Sequence, residues 1–261
     1  MNLLLVDPAE LASDGTCVVR DRRALHLRNV LGAGVGSSMR AGMVGGGTGS
    51  AELLADDGTA ITLRLAITEP PPVPLPIELV LAIPRPKVLT RVVETAAAFG
   101  VARIELTNAW RVDKSYLRSP RLDPDALALA ARLGAEQGAT THVPAIAIHR
   151  RLMALLDARW PGPPAVRLVA HPGAPPIETA LTGAAAPLAL AIGPEGGWIA
   201  REVETFVARG FSPVSLGAPI LRVETAVAAA LGQLLVLRRL ATARAADRNV
   251  ERDVERKLRG D

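Results

Sequence analysis

The stretch PLALAIGPEGGWIAREVETFVARGF, residues 187–211, predicts a buried β-strand, a glycine-rich turn and an α-helix in direct succession. A short continuous apolar run, here ending at Ile192, is typical of a strand that is covered on both faces. The turn Gly193–Gly197 follows at the carboxyl end of this strand. Open α/β sheets bind ligands there, and glycines let a ligand approach the main chain. The stretch therefore predicts an α/β fold with a ligand site at this turn.

The composition of the turn narrows the class of ligand. A phosphate-binding loop is disfavoured, because the motif lacks a Gly-Lys-Ser/Thr ending and Glu195 places a carboxylate where phosphate charge would lie. We therefore favour a neutral or cationic ligand with polar edges. A plain glycine-rich turn without any ligand is the alternative interpretation.

A second stretch, SPVSLGAPILRVETAVAAALGQLLVLRRL, residues 212–240, repeats the pattern of a short strand, a tight turn and a helix. Two glycine-bearing loops at neighbouring strand ends favour a single pocket. Arg222 lies where the helix begins, so its charge adds to the positive helix N-terminus and suits an anionic substrate. Glu224 is explained equally well as a partner of the helix dipole or as a catalytic group.

The chain around these stretches divides into two patterns. Residues 1–69 contain short strand-like segments separated by glycine turns, which predict a small β-barrel with one short helix, Asp21–Leu31. Residues 77–241 alternate strands with helices, which predicts a mostly parallel sheet covered by helices on both sides. The helices predicted there are Val88–Phe99, Asp123–Glu136, Arg150–Ala158, Ile199–Arg209 and Glu224–Ala241. Prolines predict a linker at 70–76, and the charged residues 242–261 predict a frayed helix or a disordered tail.

Composition excludes several classes of protein. A chain of 261 residues can bury a core without disulfides or metals. The single Cys17 excludes an internal disulfide and a multi-cysteine metal site, and we interpret it as a small core residue. His142 and His149 are not spaced as a metal pair. The start MNLLLVDPAE lacks the pattern of a signal peptide, and no apolar stretch approaches the roughly 20 residues of a spanning helix. We therefore expect a soluble cytoplasmic protein without a metal or a membrane segment.

Charge is modest evidence for nucleic acid as a partner. The net charge is +4, and the last 24 residues carry much of the excess. Local clusters are more informative, although solvated arginine faces explain each of them equally well. The clusters are Arg20, Arg22, Arg23 and Arg28; Arg85, Lys87 and Arg91; and Arg111, Lys114, Arg118 and Arg121. Trp110 and Trp198 are candidates for stacking on a base, with packing as the favoured explanation.

Two motifs carry a resemblance to a known family. IGPEGGW, residues 192–198, and SLGAPILRVETA, residues 215–226, resemble the paired loops of the SPOUT superfamily. They are most similar to those of small-subunit ribosomal RNA (uracil-N3-)-methyltransferases of the RsmE type. Four shorter motifs support the resemblance: HLRNVL at 26–31, FGV at 99–101, EQ at 136–137 and VAHPGA at 169–174.

The resemblance implies a fold, a cofactor and an assembly. It implies an N-terminal PUA-like β-barrel that binds RNA, and a C-terminal α/β SPOUT domain with a parallel sheet and a deep trefoil knot. S-adenosyl-L-methionine would lie between three loops, and the protein would be a homodimer with the last helix at its interface. The implied cofactor residues are Val169, His171, Pro172, Ile192, Gly193, Pro194, Glu195, Gly196, Gly197, Leu216, Gly217, Ile220, Leu221, Arg222, Thr225 and Ala226.

The resemblance also implies the reaction, which is methylation of N3 of a uridine in 16S ribosomal RNA of the small subunit. This nitrogen is a poor nucleophile until it loses its proton, so a positive group beside the base should favour the uridylate form. Arg222 is the candidate for that role, and Glu224 is a candidate for accepting the proton or orienting Arg222. The candidates for contacts with RNA are Arg22, Arg23, His26, Arg28, Arg85 and Lys87.

Several positions depart from the family pattern and keep other functions open. They are Gly32, Ser37, Ser38, Thr140 and Ile199, and they weaken the assignments on the RNA side more than those in the cofactor pocket. One alternative is a divergent paralogue that acts on another RNA. A second is a non-catalytic RNA-binding or ribosome-assembly protein with the same fold. A small-molecule methyltransferase is disfavoured by the added β-barrel.

Overall fold

The computed structural model describes residues 1–160, 166–180 and 188–259, with side chains described up to residue 244. The chain forms two compact units. The first consists of Met1–Leu75, Val93–Ala102 and Pro124–Ala145. The second consists of Pro76–Val92, Arg103–Asp123 and Ile146–Asp261. Two segments that we assign from the sequence to the domain at 77–241 therefore cluster with the N-terminal residues.

A curled five-stranded sheet with an apolar interior dominates the first unit. Its strands follow the order β1-β3-β4-β5-β2, with β1 parallel to β3 and the other neighbours antiparallel. Asp21 caps helix α1 by accepting a hydrogen bond from the Arg23 amide at 2.9 Å. Leu27 of that helix is buried with Cys17 and Leu53 in the interior. The elements are β1 Leu4–Val6, β2 Thr16–Val19, α1 Arg22–Asn29, β3 Ser38–Met43, β4 Thr48–Asp56 and β5 Ile61–Glu69.

Two glycines of α3 (Pro124–Gly138) allow this helix to pack closely against another helix within the first unit. A Cβ atom at Gly134 would lie 2.1 Å from the Glu94 carbonyl oxygen, and one at Gly138 would lie 2.1 Å from the Ala98 carbonyl oxygen. Glu94 and Ala98 lie four residues apart in α2 (Pro86–Ala98), as the two glycines do in α3. The helices therefore touch backbone to backbone, which any larger residue would prevent.

A six-stranded sheet, with the order β11-β9-β10-β6-β7-β8, lies mainly in the second unit. β11 is parallel to β9, β9 is parallel to β10, and β10 is parallel to β6. All five residues of β10 are buried, as its continuous apolar sequence predicts. The strands are β6 Leu75–Ala82, β7 Val101–Thr107, β8 Ala145–His149, β9 Val166–Ala170, β10 Leu188–Ile192 and β11 Ser212–Val214. The remaining helices are α4 Leu152–Arg159, α5 Ala200–Ala208 and α6 Val223–Arg259.

The last helix differs most from its prediction. We predict Glu224–Ala241 followed by a frayed or disordered tail, but α6 is one helix of 37 residues that continues to Arg259. Its part Val223–Arg244, with a mean hydropathy of 1.4, is long and apolar enough to cross a membrane by length and composition. The expectation that no stretch reaches this length is therefore wrong. Core helices of soluble proteins meet the same criteria, so this single helix is weak evidence for a membrane span.

Candidate functional site

The three candidate cofactor loops follow strands that lie side by side. β9 pairs in parallel with β10 on one side and with β11 on the other. The His171 amide, directly after β9, donates to the Val214 carbonyl oxygen at the end of β11 at 2.9 Å. Because carboxyl ends of parallel strands meet at one edge of a sheet, the structure brings the three loops together. The loop after β9 lies between the other two.

The loops after β6, β7 and β8 begin at the same edge. The Ile83 amide donates to the Thr107 carbonyl oxygen at 2.9 Å, and the Asn108 amide donates to the His149 carbonyl oxygen at 3.2 Å. β6 is parallel to β10. The segments that follow β6 and β7 therefore lie on the side of the turn Gly193–Gly197 that faces away from the loop after β9.

The turn Gly193–Gly197 is tightly folded on itself. The Gly197 amide donates to the Pro194 carbonyl oxygen at 2.7 Å, and Gly197 has a φ of 70°. A Cβ atom at Gly193 would lie 3.0 Å from the Trp198 backbone nitrogen and 3.2 Å from Gly197 atoms. Gly197 therefore has a backbone angle that favours glycine, and a side chain at Gly193 would force the turn to shift by a few tenths of an ångström.

Neighbouring loops hold this turn through two contacts. The Glu195 carboxylate accepts a hydrogen bond from the Arg85 amide at 2.9 Å. Arg111 Nη1 donates to the Gly196 carbonyl oxygen at 2.5 Å. Glu195 thus has a positioning role that the sequence did not reveal. The sequence also singled out Arg111 only as a member of a basic cluster.

The third loop is tied to the first and to α6. The Ser215 amide donates to the Pro175 carbonyl oxygen at 2.8 Å, and the Ile177 amide donates to the Ser215 carbonyl oxygen at 3.1 Å. Gln233 Nε2 donates to the Leu216 carbonyl oxygen at 2.9 Å. Sequence reasoning missed Gln233, although a polar residue in the apolar run AVAAALGQLLVL of α6 was a signal for it.

Three buried polar atoms in this region have no hydrogen-bond partner among the described residues. They are His171 Nδ1 in the first loop, Trp198 Nε1 after the second, and Gln233 Oε1 beside the third. An unsatisfied buried polar atom costs free energy, so such atoms are unusual in a folded protein. Polar edges of a bound ligand would provide the missing partners for His171 and Gln233. Trp198 packs its ring edge-on against Phe206, with 4.9 Å between centroids, which supports the packing role predicted for it.

Arg222 and Glu224 lie at the N-terminus of α6. The Ala226 amide donates to the Arg222 carbonyl oxygen at 2.7 Å, so Arg222 occupies the capping position. Its side chain is exposed and makes no hydrogen bond or ion pair with any residue that the structure describes. Glu224 is half-buried in the first turn. A free guanidinium therefore adds to the positive helix terminus at the edge of the third loop.

The other candidate cofactor residues differ in exposure. Val169 and Ile192 are buried in their strands, and Pro194 is buried in the turn. Ile220, in the third loop, is 79% exposed. Exposed residues are Pro172, Glu195, Gly196, Gly217 and Thr225; half-buried residues are His171, Gly193, Gly197, Leu216, Leu221 and Ala226.

The candidate RNA contacts on α1 are engaged within the first unit. Arg22 donates to both carboxylate oxygens of Glu136, at 2.8 and 2.6 Å. Arg28 pairs with Asp56 through three hydrogen bonds, which are the main cause that lowers the pKa of the Asp56 carboxyl. The His26 side chain, in contrast, makes no hydrogen bond with any described residue and lines a cavity of 590 Å³ in this unit. That cavity is also lined by Met1, Arg22, Glu94, Thr95, Ala98, Leu133, Gly134, Glu136 and Gln137.

Arg23 is buried, with 3% of its surface exposed. Its guanidinium donates to Asp21, to the Leu5 carbonyl oxygen and to both carboxylate oxygens of Glu10. The hydrogen bond from Arg23 lowers the pKa of the Glu10 carboxyl. The structure therefore favours a structural role for Arg23 over the predicted contact with phosphate. Arg85 and Lys87, at the start of α2, are exposed.

The remaining titratable candidates have structural partners. His149 Nε2 lies 2.6 Å from Glu105 Oε2, and His142 Nε2 lies 3.1 Å from the Val101 carbonyl oxygen. Cys17 is buried in the first unit, and burial raises the pKa of its thiol to about 11. Among the described residues, no group of three or more His, Cys, Asp or Glu side chains is arranged to hold a metal ion.

Comparison with known proteins supplies a family and several relatives. Residues 71–235 match the model of the RNA methyltransferase domain family. Ribosomal RNA small subunit methyltransferase E of Treponema pallidum is 28% identical over 257 residues, covering 90% of this chain and 91% of the relative. The protein of the same name from Synechocystis is 52% identical over 52 residues, covering 20% of this chain and 17% of the relative.

Solved structures share the fold over nearly the whole chain. The ribosomal RNA small subunit methyltransferase E from Neisseria gonorrhoeae, bound to S-adenosyl methionine, aligns with a TM-score of 0.73 and 22% identity. That alignment covers 91% of this chain and 98% of the other. A putative methyltransferase from Legionella pneumophila, in complex with the bound cofactor SAM, aligns with a TM-score of 0.74 and 23% identity. It covers 90% of this chain and 97% of the other.

Proposed function

The chain belongs to the RNA methyltransferase domain family, and we propose that it transfers a methyl group from S-adenosyl-L-methionine to N3 of a uridine in 16S ribosomal RNA. The observation that carries this function is the meeting of three loops at one sheet edge beside Arg222, whose side chain has no partner among the described residues. Both relatives named above are small-subunit ribosomal RNA methyltransferases, and two structures with the same fold contain the cofactor. These names support the substrate class and the methyl donor.

The residues at the sheet edge suit this cofactor. S-adenosyl-L-methionine has a cationic sulfonium and polar edges, which agrees with a loop that contains Glu195 and lacks a phosphate-binding lysine. Main-chain groups of the three loops would hold the cofactor. His171 Nδ1 and Gln233 Oε1, which have no hydrogen-bond partner among the described residues, would be its side-chain partners. When bound, the cofactor supplies an activated methyl group. The protein's task is then mainly to align the donor and the acceptor.

The acceptor requires a group that stabilises negative charge. N3 of uracil carries a proton, and its loss places charge on the ring and its oxygens. Arg222 is suited to stabilise that charge because no carboxylate among the described residues neutralises it and because it occupies the N-cap position of α6, where its charge adds to the positive helix terminus. Glu224, in the first turn of the same helix, is the group that would accept the proton or orient Arg222.

The proposal extends to architecture and location. Residues 1–69 would act as a PUA-like RNA-binding barrel, 70–76 as a linker and 77–241 as a SPOUT domain with a deep trefoil knot, with 242–261 following it. A homodimer is supported by the apolar segment Val223–Arg244, of which only 22% is buried in the single chain. Val236 and Leu240 are exposed there at 46% and 50%. The ribosomal substrate places the protein in the cytoplasm.

The test joins cofactor binding to product analysis. Calorimetry with S-adenosyl-L-methionine should show binding to the purified protein. Small ribosomal subunits from a strain lacking the gene should gain one 3-methyluridine when they are incubated with the protein and S-adenosyl-L-methionine. Mass spectrometry of nucleosides detects this product. Binding without methylation of 16S ribosomal RNA would support a paralogue with another RNA substrate. A folded protein that binds no cofactor would support the non-catalytic assembly protein instead.

A further inference from the structure

Trp110 is unusual in its exposure. The chain has three tryptophans, all in the described part, and Trp160 and Trp198 are only 8% and 3% exposed. Trp110 is 79% exposed in the segment that follows β7. A large aromatic ring in water gains nothing for folding, so a position of this kind points to a binding role.

The backbone beneath this ring is fixed to the candidate cofactor site. The Trp110 amide donates to Glu202 Oε1 at 2.8 Å, and the other oxygen of that carboxylate accepts from the Ile199 amide at 3.0 Å. The next residue, Arg111, holds the Gly196 carbonyl oxygen. The absent side chain of Gly196 is part of this contact, because a Cβ atom there would lie 3.0 Å from Arg111 Cδ. Trp110 and Arg111 are thus tied to the turn Gly193–Gly197 and to the start of the helix that follows it, while the Trp110 ring remains in solvent.

The segment after Trp110 carries positive charge without internal partners. The side chains of Lys114, Arg118 and Arg121 are exposed and make no hydrogen bond or ion pair with any described residue. The nearby Asp113 is engaged with the Ser115 amide at 2.8 Å. An exposed aromatic ring followed by unpaired cations is the combination that binds single-stranded nucleic acid, through stacking on bases and contact with phosphates.

We propose that Trp110 stacks on a base of single-stranded ribosomal RNA beside the target uridine, while Lys114, Arg118 and Arg121 contact the neighbouring phosphates. This inference rests on the proposed function, because it places the bound strand next to the methyl donor. Three features favour RNA over a protein surface: Trp110 is anchored at the site through its amide, cations follow it along the chain, and none of these cations pairs with a carboxylate in the described part of the chain. Stacking accepts any base, so Trp110 acts as a positioning residue and does not select the sequence.

The first test uses the exposed ring as a probe. Trp110 should dominate quenching of fluorescence by iodide, because the other two tryptophans are buried. A single-stranded fragment of 16S ribosomal RNA should quench the same component and protect it from iodide, and the Trp110→Phe variant should lack this response. If the fragment binds while the Trp110 signal stays unchanged, the inference is wrong. The ring could instead be protected from iodide without RNA, with the protection lost when the protein is diluted to monomers. That result would show that the ring contacts a second copy of the chain, and it would also overturn the inference.

The second test measures turnover on small ribosomal subunits. Trp110→Ala should raise the KM for the subunit by about 10-fold, and Trp110→Phe should restore most of it. The kcat and the affinity for S-adenosyl-L-methionine should stay near those of the unmodified protein. Val73→Ala, which removes another highly exposed apolar side chain, is the matched control and should change nothing. An unchanged KM for Trp110→Ala contradicts the stacking. If the protein without any substitution does not methylate the subunits at all, the proposed function is wrong, and the fluorescence test still examines the stacking.

Discussion

The basic side chains of α1 and those at the sheet edge of the second unit look alike in sequence but differ in their partners. Arg22, Arg23 and Arg28 are all paired with carboxylates of the first unit. Arg222 and Lys114, by contrast, have no partner among the residues that the structure describes. In an arginine-rich chain, a basic cluster therefore serves folding where carboxylates lie within reach. It is available for recognition only where they do not.

The largest effect that would test this difference is the loss of the buried guanidinium. Arg23→Met should lower the free energy of unfolding by about 3 kcal/mol, because the charged and hydrogen-bonded cluster around Arg23 is broken. Urea unfolding measures this change, and labelling of the buried Cys17 thiol reports opening of the same unit. Arg28→Met, which removes an ion pair at the surface, is the control and should cost clearly less.

An RNA-binding role for Arg23 makes the opposite prediction. A variant with unchanged stability and weakened binding to ribosomal RNA would show that this guanidinium leaves the interior to contact phosphate. That result would remove the distinction between the two groups of cations.

Arg222→Ala should have the next largest effect, on the reaction and not on folding. Loss of the group that stabilises the uridylate should lower kcat by about 100-fold. The free energy of unfolding should stay the same, because Arg222 has no described partner to lose. Steady-state kinetics on small subunits and urea unfolding of the same samples measure both quantities. Arg222→Lys, which keeps the charge, should recover part of the rate, and a variant without any loss of turnover would remove the proposed role.

Local pattern was enough to predict the elements around the site. The apolar run before Gly193 predicts β10, and the helix predicted at Ile199–Arg209 agrees with α5 to within one residue at each end. The helices predicted at Val88–Phe99 and Asp123–Glu136 agree with α2 and α3 to within two residues at each end. The glycine loops are also correctly expected at strand ends. Such features depend on residues close together in the chain, which a sequence displays directly.

Long-range pairing explains what the sequence concealed. Arg22 meets Glu136 across 114 positions, and no local signal distinguishes such a partner from any other carboxylate. The same holds for Gln233, which reaches Leu216 only because α6 packs beside the third loop. Gly134 looks like a weak point of a helix until Glu94 is seen against it. The sequence therefore predicted most of the elements around the site, but it did not indicate the partners of these side chains.

A smaller effect is expected from filling the cofactor turn. Gly193→Ala places a Cβ atom 3.0 Å from the Trp198 nitrogen, so the turn must shift by a few tenths of an ångström. The affinity for S-adenosyl-L-methionine should fall by about 10-fold, as expected for a strained main-chain site. Calorimetry measures this loss. Gly34→Ala, where the added Cβ atom meets nothing within 4 Å, should leave binding unchanged. Equal effects of both substitutions would argue against a site made from this turn.

The smallest effect concerns the acid side of stability. The pKa of Glu10 is lowered from 4.5 in the folded protein, mainly by the hydrogen bond from Arg23. A lowered pKa means that Glu10 contributes stability above pH 4.5 and loses it as the pH falls through the folded value. The free energy of unfolding should therefore decrease below pH 4.5, and the Arg23→Met variant should show a weaker decrease. Asp57, whose pKa is lowered to about 2 by hydrogen bonds from the Ala60 and Thr59 amides, should keep its own contribution in both proteins. Identical pH profiles would mean that Arg23 and Glu10 are not coupled in solution. In that case the ion pair of Arg23 would not stabilise the fold, and Arg23 would not differ in this respect from Arg222 and Lys114, which have no partner among the described residues.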